Sequence, residues 1–225
     1  MRAPISVIIP TLDAEADLPA CLAALVEGLE AGLIRELIIS DGGSTDATRE
    51  IAQAWGADTV TGPAGRGGQL RRGCAAAQGA WLLVLHADTV LAPGWTGAVR
   101  DHLVGDAAGW FRLRFDRGGL PGRLVAGWAN LRSHLGLPYG DQGLLLPTPL
   151  YNAAGGYPDQ PLMEDVALAR ALRGRLQPLG CDAITSAVKY RRQGWLRRGG
   201  RNLWTLLRYG AGVSPERLAQ AYRRD

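Results

Sequence analysis

Short apolar runs alternate with amphipathic stretches along the first 85 residues of the chain. Four β-branched or wholly apolar runs predict strands, at residues 5–9, 36–40, 58–61 and 81–85. Between them, apolar residues at helical spacing predict helices at residues 18–29, 45–55 and 68–78. Strands that alternate with helices in this way are typical of a parallel, doubly wound α/β sheet with helices on both faces.

The alternation becomes irregular in the rest of the chain. The later elements predicted are strands at residues 110–115 and 143–146 and helices at residues 124–135, 163–172, 195–209 and 214–222. Ser214 and Pro215 suit the N-cap and the first position of the last helix. No Pro- or Ser-rich linker divides the chain, so we expect one α/β domain over residues 1–190. Residues 191–225 form a basic amphipathic helical tail, packed on this domain or extending from it.

Charge divides the chain near residue 170. The 25 basic and 21 acidic residues give a net charge of +4, but residues 1–169 carry −6 and residues 170–225 carry +10. All basic residues except Lys189 are arginine. A GC-rich coding bias is the first explanation for this preference, and planar contacts between arginine and phosphate are the second. The asymmetry favours a polyanionic partner for the tail: nucleic acid, an anionic membrane or a phosphorylated substrate.

Cysteine usage and the N-terminus bear on the compartment. Cys21, Cys74 and Cys181 are odd in number and lack the paired spacing of metal ligands, which fits a reducing compartment. The apolar run before Pro10 is too short for a signal peptide, and no run reaches the ~18 apolar residues of a spanning helix. We therefore expect a cytoplasmic protein that, if it meets the membrane, lies peripherally on the inner face.

Polar clusters follow three of the predicted strands, at residues 10–13, 41–44 and 86–88. A doubly wound sheet binds its ligand beyond these strand ends, so the clusters should converge on one crevice. Asp41 is placed to accept a hydrogen bond from a ribose or a base, and Asp88, with His86 as a candidate second ligand, is placed to hold a divalent cation. The glycine-rich segment at residues 65–69 offers an anion its backbone N–H groups, with Arg66 and Gln69 as candidate nucleotide-binding side chains.

Each of these signals also has a purely structural interpretation. The DGGSTD segment at residues 41–46 is equally a turn and a helix cap, and a lone histidine such as His86 more often ends a strand than binds a metal. Glu164 and Asp165 suit the positive end of a helix dipole, and Asp141 suits a turn. Neither a phosphate loop nor a G-x-G-x-x-G after the first strand is present, which disfavours NAD binding.

Five segments, taken together and in order, resemble one enzyme family. They are SVIIPTLD at residues 6–13, LIISDGGSTD at 37–46, LVLHADT at 83–89, GDQG at 140–143 and MEDVAL at 163–168. Over about residues 5–195 the chain resembles the inverting family 2 glycosyltransferases with the GT-A fold. The resemblance implies a Rossmann-like, mostly parallel mixed sheet, a nucleotide-sugar donor, commonly a UDP-sugar, and a divalent metal, Mn²⁺ or Mg²⁺.

The resemblance also implies a donor side for the site. Pro10, Thr11 and Asp13 match the residues that line the nucleotide pocket, and Asp41 matches the residue that reads the base. Asp88 matches the last carboxylate of the family's D-x-D metal motif.

An acceptor side is implied in the same way. The Glu164-Asp165 pair matches an acidic motif whose second residue is usually the catalytic base. Asp141 and Gln142 match a segment beside the transferred sugar and the acceptor.

The match departs from the family at several positions. Ala14 and Gly42 stand where the family has acidic residues, with Glu15 one position late, and His86 replaces the first Asp of D-x-D. The basic-aromatic motif of processive members is represented by Lys189 and Tyr190 alone, which we place beside the acceptor. We therefore expect a non-processive enzyme that adds a single sugar.

The resulting hypothesis is metal-dependent, inverting transfer of one sugar to an acceptor hydroxyl, with Asp165 as the base. The tail either lies in an anionic headgroup layer, which would suit a lipid or lipid-linked acceptor, or packs on the domain.

One alternative is a nucleotidyltransferase, which should have a glycine- and lysine-rich loop after the first strand. Another is a degenerate transferase that only binds nucleotide or polyanion. A nucleic-acid-binding protein would not need three carboxylates aimed at one crevice.

Overall fold

Eight strands form one mixed sheet in the computed structural model, which describes residues 3–224 except for the side chains of residues 189, 223 and 224. The strands are β1 (Ile5–Thr11), β2 (Ile34–Asp41), β3 (Asp58–Thr61), β4 (Trp81–Val84), β5 (Thr89–Leu91), β6 (Ala108–Phe115), β7 (Leu144–Pro147) and β8 (Leu176–Thr185). The helices are α1 (Leu18–Glu30), α2 (Thr48–Ala54), α3 (Arg66–Ala76), α4 (Trp95–His102), α5 (Gly119–His134), α6 (Thr148–Ala153), α7 (Glu164–Ala171), α8 (Val188–Gln193), α9 (Trp195–Gly210) and α10 (Pro215–Arg224). A 3₁₀ turn at Gly140–Gln142 precedes β7.

The first half of the sheet is parallel, as the alternation of strands and helices predicts. The strand order is β3-β2-β1-β4-β7-β6-β8-β5, and the four strands from β3 to β4 run in one direction. The register sets Thr11 opposite Asp41 and Asp41 opposite Thr61. The carboxyl ends of these strands therefore meet at one edge of the sheet.

The second half of the sheet is mixed. Strand β7 is antiparallel to both β4 and β6, β8 runs parallel to β6, and β5 closes the edge antiparallel to β8. Because Leu144 pairs with Val84, the 3₁₀ turn before β7 lies beside the segment that follows β4. The mixed pairing thus brings the G-D-Q-G and H-A-D segments together.

Helices cover both faces of the sheet, so the central strands are apolar on both sides. Successive side chains of a strand point to opposite faces. Val7 and Ile9 pack with α1 and α4, where Trp95 is fully buried, whereas Ile8 packs on the other face with Leu70 of α3. These two layers hold the strand ends rigidly where the polar clusters emerge.

Several elements differ from the sequence prediction. Strand β5 and helices α4, α6 and α8 were not predicted, and α5 begins at Gly119 instead of residue 124. Strand β8, ten residues long, was not predicted, because Pro178 and Gly180 interrupt the apolar pattern that indicates a strand. Helix α2 begins at Thr48, three residues later than predicted, because the hydroxyl and the N–H of Ser44 bind Asp41 instead of capping a helix. Residues 42–47 therefore remain a loop over the strand ends.

The C-terminal helices pack on the domain. Pro215 is the first residue of α10, as predicted, and Leu218 is buried against Met163 and Val166. Trp195, at the start of α9, packs against Phe115 of β6. The boundary expected between residues 190 and 191 falls inside α8. In the described part of the chain, none of the helices combines the length and the apolar character needed to cross a bilayer.

Candidate active site

Two connected hollows lie at the carboxyl ends of β1, β2 and β4. The strand-end hollow encloses about 530 Å³ between the loop after β1, the start of α3 and the H-A-D segment. The acidic hollow encloses about 150 Å³ between the H-A-D segment, the G-D-Q-G turn, the start of α7 and the C-terminal helices. Arg66, His86 and Asp88 line both hollows and so mark their junction.

Asp41 lies beneath the floor of the strand-end hollow and is completely buried. Its Oδ1 accepts hydrogen bonds of 2.9 Å from the N–H groups of Gly43 and Ser44, and its Oδ2 accepts from the hydroxyls of Thr11 and Ser44. Burial raises the pKa of Asp41, but these hydrogen bonds lower it by more, so the pKa lies below its ordinary value. Both carboxylate oxygens are thus bonded within the chain.

Hydrogen bonds fasten the loop after β1 to the loop after β2. Oδ1 of Asp13 accepts from the N–H of Thr45 at 2.8 Å, and the N–H of Asp13 donates to the hydroxyl of Ser44 at 2.9 Å. The N–H of Ala14 donates to the hydroxyl of Thr48 at 2.7 Å. Asp13 itself adopts a left-handed backbone with φ of +48°, which turns the loop over the hollow. This pairing joins the loop that lines the hollow to the loop after β2.

The first turn of α3 brings a cation and an amide to the hollow. Nε2 of Gln69 donates to the carbonyls of Thr11 and Ser40 at 2.7 and 3.0 Å, so this buried amide joins the ends of β1 and β2. A Cβ on Gly42 would lie 3.0 Å from the Gln69 amide, so any larger residue at position 42 would press on this amide. Arg66, half-exposed, points its guanidinium toward the junction of the hollows.

The H-A-D segment and the G-D-Q-G turn touch. A Cβ on Gly140 would collide with the imidazole of His86, so only glycine allows this approach. The N–H of Gly140 donates to Oδ2 of Asp165 at 2.8 Å. Three of the predicted segments therefore meet around Gly140, although they lie far apart in sequence.

The acidic pair at the start of α7 divides into a buried and an accessible carboxylate. Met163, with a left-handed φ of +65°, turns the chain into the helix. Glu164 is buried, with Oε1 3.5 Å from Nε of Arg66, and burial together with the charge of Asp165 raises its pKa. Asp165 lines the acidic hollow.

Arg66 balances this negative charge. Its partial burial lowers its pKa, but the carboxylates of Glu164, Asp165 and Asp88 raise the pKa by more. Arg66 therefore keeps a positive charge at the junction of the two hollows.

Asp141 faces the acidic hollow from the 3₁₀ turn. Burial, with the charges of Asp165 and Asp88, raises its pKa to about 6, although Arg132 and Arg66 act in the opposite direction. Its Oδ1 is buried without a hydrogen-bond partner. Asp141 is thus a carboxylate poised to gain a proton, a cation or a donor group from a ligand.

Gln142 is fully buried and serves the turn itself. Its Oε1 accepts hydrogen bonds from the hydroxyl of Ser133 and the N–H of Tyr139, and its Nε2 donates to the carbonyl of Phe111 at 3.2 Å. These bonds tie the 3₁₀ turn to α5 and β6. Gln142 therefore positions Asp141 and lies outside the lining of either hollow.

The C-terminal helices complete the acidic hollow with residues that were not predicted. Asn202 of α9 donates to the hydroxyl of Tyr190 and accepts from the hydroxyl of Tyr222, both at 3.2 Å, and Arg198 lies beside the Tyr190 ring. No sequence pattern singled out Asn202, Arg198 or Tyr222 as residues of the site. The side chain of Lys189 lies outside the described residues.

The structure brings most of the predicted site residues together. Pro10, Thr11, Asp13, Arg66 and Gln69 line the strand-end hollow. Asp141, Asp165 and Tyr190 line the acidic hollow, while His86 and Asp88 line both. Asp41, Gln142 and Glu164 lie beneath these surfaces. The roles of all these residues toward a ligand remain predictions.

The residues at the junction fit a divalent cation that is shared with a ligand. Within residues 3–224, no three His, Cys, Asp or Glu side chains group as an all-protein metal site. Mg²⁺ is commonly held by one or two carboxylates, with substrate phosphates and water completing its coordination. Asp88 supplies one carboxylate at the junction, and Oδ1 of Asp141 is a buried oxygen without a hydrogen bond nearby. This donor set matches a metal bound together with a diphosphate.

The fold is that of the GT-A glycosyltransferases, as comparison with solved structures shows. Glucosyl-3-phosphoglycerate synthase from Mycobacterium tuberculosis, solved with Mn²⁺, UDP and glucosyl-3-phosphoglycerate, is 25% identical with a TM-score of 0.56, covering 82% of this chain and 70% of that one. S. aureus TarS in complex with UDP-GlcNAc is similar in fold, with a TM-score of 0.61 at 15% identity over 81% of this chain and 58% of TarS.

Residues 6–134 match the model of glycosyl transferase family 2, and the chain belongs to this family. PGL/p-HBAD biosynthesis glycosyltransferases of Mycobacterium bovis and M. tuberculosis are 39% identical to it over 102 residues. The match covers 40% of this chain and 38% of those relatives, so the chain spans well under half of their length.

Proposed function

We propose that the protein transfers a single sugar from a nucleotide-sugar, a UDP-sugar, to an acceptor hydroxyl, with inversion at the anomeric carbon. The observation that carries the proposal is that Asp88 and Asp165 line one hollow with Arg66 beside them, in a chain of family 2. A leaving diphosphate needs positive charge and an attacking hydroxyl needs a base. The acidic hollow offers both within one space.

The donor nucleotide occupies the strand-end hollow in this proposal. Its volume of about 530 Å³ falls in the range of small-molecule sites. Pro10, Thr11 and Asp13 line it, while Asp41 and Gln69 hold the loop and strand ends in place from below. The M. tuberculosis synthase of similar structure was solved with UDP and Mn²⁺, which supports this choice of ligand.

The diphosphate lies at the junction, beside Arg66. Asp88, with His86 as a candidate second ligand, would hold Mn²⁺ or Mg²⁺, which when bound neutralises charge on the leaving diphosphate. Arg66 carries a guanidinium that is always protonated at neutral pH, and three nearby carboxylates raise its pKa further, so it adds a fixed positive charge at the same place. Its partner Glu164 keeps the guanidinium oriented toward the junction.

Asp165 acts as the base. The N–H of Gly140 holds its Oδ2, and the first turn of α7 fixes its backbone, so the carboxylate keeps one orientation in the acidic hollow. The acceptor oxygen bonds to the anomeric carbon as the bond from that carbon to the phosphate oxygen breaks. The acceptor proton passes to Asp165, and the electron pair leaves with the nucleoside diphosphate.

The acceptor enters through the acidic hollow, beside Asp141 and Tyr190, with Lys189 as a further candidate contact. We propose a lipid or lipid-linked hydroxyl compound as acceptor and a protein that works at the inner face of the cytoplasmic membrane. Helix α9 supports this choice. Its inner side lines the acidic hollow with Asn202 and Arg198, and its outer side is apolar and basic.

Replacing the base separates chemistry from binding. We expect Asp165→Asn to reduce transfer by about 10²–10⁴-fold, the usual contribution of a general base, with unchanged UDP affinity in calorimetric titration. Asp101→Asn, at an exposed position on α4, is the matched control and should leave both quantities unchanged. Equal loss of transfer and of UDP binding in Asp165→Asn would contradict the assignment.

A thermal-shift screen of nucleotide-sugars with and without Mn²⁺ identifies the donor, since a ligand that binds the native state raises its melting temperature. The Asp88→Ala variant should lose the Mn²⁺-dependent part of the UDP-induced shift. A screen in which no nucleotide-sugar stabilises the wild-type protein would point to a degenerate transferase.

A further inference from the structure

Helix α5 exposes a continuous apolar stripe. Buried residues of this helix, among them Ala126 and Ala129, face the sheet. On the opposite side five large apolar residues are more than half exposed: Leu120, Leu124, Trp128, Leu131 and, at the C-cap, Leu135. At 3.6 residues per turn these five positions fall within about a quarter of the helix circumference. The stripe therefore runs the whole length of α5.

Helix α9 exposes a second stripe. Leu196 is 89% exposed and Trp204 62%, and Leu203 and Leu207 lie on the same side of the helix. Asn202, the residue before Leu203, points instead to the acidic hollow. The helix thus separates a side that serves the site from a side that is open and apolar.

The two stripes form one surface, which we call the α5–α9 face. The helices are in contact at Val125 of α5 and Gly199 of α9. A Cβ built on Gly199 would lie 3.8 Å from Cγ2 of Val125. This contact lies at the inner edge of both stripes, so the stripes are side by side. Exposed apolar patches of this extent on a protein surface usually mark an interaction site.

The flanks of the α5–α9 face are basic. Helical spacing places Arg123 on the flank of α5 that is turned away from α9, and Arg197 and Arg208 on the flank of α9 that is turned away from α5. Both helices are fully described, and their sequences contain no Asp or Glu. An apolar centre with arginine edges is complementary to a surface with an apolar interior and an anionic rim.

We propose that the α5–α9 face binds the surface of an anionic lipid bilayer, with its leucines and tryptophans among the acyl chains and its arginines among the headgroups. Interfacial helices rest in this way, with Trp and Leu inward and arginine toward anionic lipid. A second copy of the chain fits less well, because a two-fold contact would bring the arginine edges together with no carboxylate on either helix to pair with them.

The placement of this face deepens the proposed function, on which its link to the acceptor rests. The inner sides of the same two helices reach the site: Arg132 of α5 lies over the Tyr139 ring, and Asn202 of α9 lines the acidic hollow. A narrow cavity of about 40 Å³ between the helices is bordered by Trp128 and Leu203 on the outside and by Asp141 on the inside. A lipid acceptor held by the face would therefore present its hydroxyl close to Asp165.

Vesicle flotation without any donor tests the proposal. The full-length protein is mixed with phosphatidylcholine vesicles, or with vesicles of phosphatidylcholine and phosphatidylglycerol in equal parts, at low and high salt. We expect flotation with the anionic vesicles, weakened by salt because salt screens the arginines. The double variant Trp128→Gln/Trp204→Gln should bind at least about tenfold more weakly, because two large apolar side chains no longer leave water.

Matched variants separate the face from general effects. Trp55→Gln replaces an exposed tryptophan at the C-cap of α2 and should bind vesicles like the wild type. Arg197→Gln/Arg208→Gln should weaken binding by about fivefold per arginine. UDP binding should stay unchanged in all three variants, because the substituted side chains lie outside the strand-end hollow.

Three outcomes would overturn the membrane assignment. They are absence of flotation by the wild-type protein with anionic vesicles at low salt, wild-type flotation by the tryptophan double variant, and a dimer in light scattering that this variant converts to a monomer while vesicles bind neither form. The last outcome assigns the face to a second copy of the chain. A wild-type protein that binds anionic vesicles but transfers no sugar would contradict the proposed function. The assignment of the α5–α9 face to a membrane would remain supported.

Discussion

The carboxylate of Asp41 is completely buried, and hydrogen bonds within the chain keep it ionised. Because its pKa in the folded state lies below the unfolded value of about 3.9, its contribution to stability is complete above that pH. The contribution is lost as the pH falls through the lower folded-state pKa. Asp41 is therefore a structural anion at neutral pH, joining Thr11 to Ser44.

We expect Asp41→Asn to lower the free energy of unfolding by about 1–3 kcal/mol at neutral pH, because an amide cannot accept all the hydrogen bonds that the carboxylate accepts. The difference from wild type should shrink below about pH 4, as the wild-type carboxylate takes up a proton. Urea titrations over a pH series measure both effects. Asp58→Asn, at an exposed end of β3, is the control, and a difference that grows in acid would contradict this reasoning.

At the level of single residues, the sequence predicts where a residue lies in the fold better than it predicts which groups its side chain binds. Asp41, Gln69 and Gln142 lie where strand ends and the G-D-Q-G segment place them, yet their polar atoms bond to the chain itself. Short polar side chains at turns compete for nearby backbone groups, and one sequence does not show which partner prevails. Asp88 and Asp165 follow the same placement rules and line the hollow.

Helix α3 depends on close packing at its first turn. Backbone atoms of Pro158 and Gln160 lie where a Cβ on Gly67 would be, so this loop sits directly on the helix. We expect Gly67→Ala to lower the free energy of unfolding by about 1–3 kcal/mol, the usual cost of overpacking, and to weaken UDP binding by shifting Arg66. Thermal unfolding and calorimetric titration measure the two effects.

Gly127 supplies the matched control for this substitution. It lies in α5 with open space around the position of a Cβ. Gly127→Ala should therefore stabilise the protein by about 0.5–1 kcal/mol, because alanine loses less backbone entropy than glycine in a helix. If Gly67→Ala and Gly127→Ala changed the free energy of unfolding in the same direction, close packing at α3 would not explain the effect of Gly67→Ala.

At the level of elements, the sequence predicts the parallel half of the sheet and loses accuracy beyond it. Strands β1 and β4 are apolar runs covered on both faces, and their pattern is recognisable without tertiary information. Strand β8 carries Pro178, Gly180 and several polar residues, and it is a strand because β6 and β5 hold it on both sides. Pairing of this kind joins residues that are far apart in sequence.

At the level of the whole molecule, the last helix packs on the α/β domain beside the candidate site. Leu218 of α10 is buried against Met163 and Val166, directly behind the acidic pair of α7. We propose that residues 191–225 unfold together with residues 1–190. Leu218→Ala should then lower the free energy of unfolding by about 2–5 kcal/mol within a single transition, which calorimetry measures.

The control for this prediction is Leu207→Ala, which removes the same atoms from an exposed position and should change stability by less than about 0.5 kcal/mol. Two separate transitions in either variant or in the wild-type protein would show that the tail folds as an independent unit.

The amphipathic tail shows why sequence alone left its role open. A helical stripe predicts an apolar side, which suits a protein core or a membrane equally. In the structure the tail uses different sides for different contacts: Trp195 and Leu218 pack on the domain, while Leu196 and Trp204 stay exposed. Separating these sides requires knowing which surface of the domain the helix meets.

Helix α9 presents one side to the acidic hollow and the other to the α5–α9 face. Its length is therefore more constrained than its amino-acid composition. Asn202 and its neighbour Leu203 serve opposite sides, and each residue turns a helix by about 100°. One residue inserted after Gly200 would rotate everything beyond it, drawing the wall of the hollow outward and the leucines inward. Homologous chains should therefore exchange leucine for other apolar residues freely along this helix, while insertions and deletions collect in the loops on either side of it.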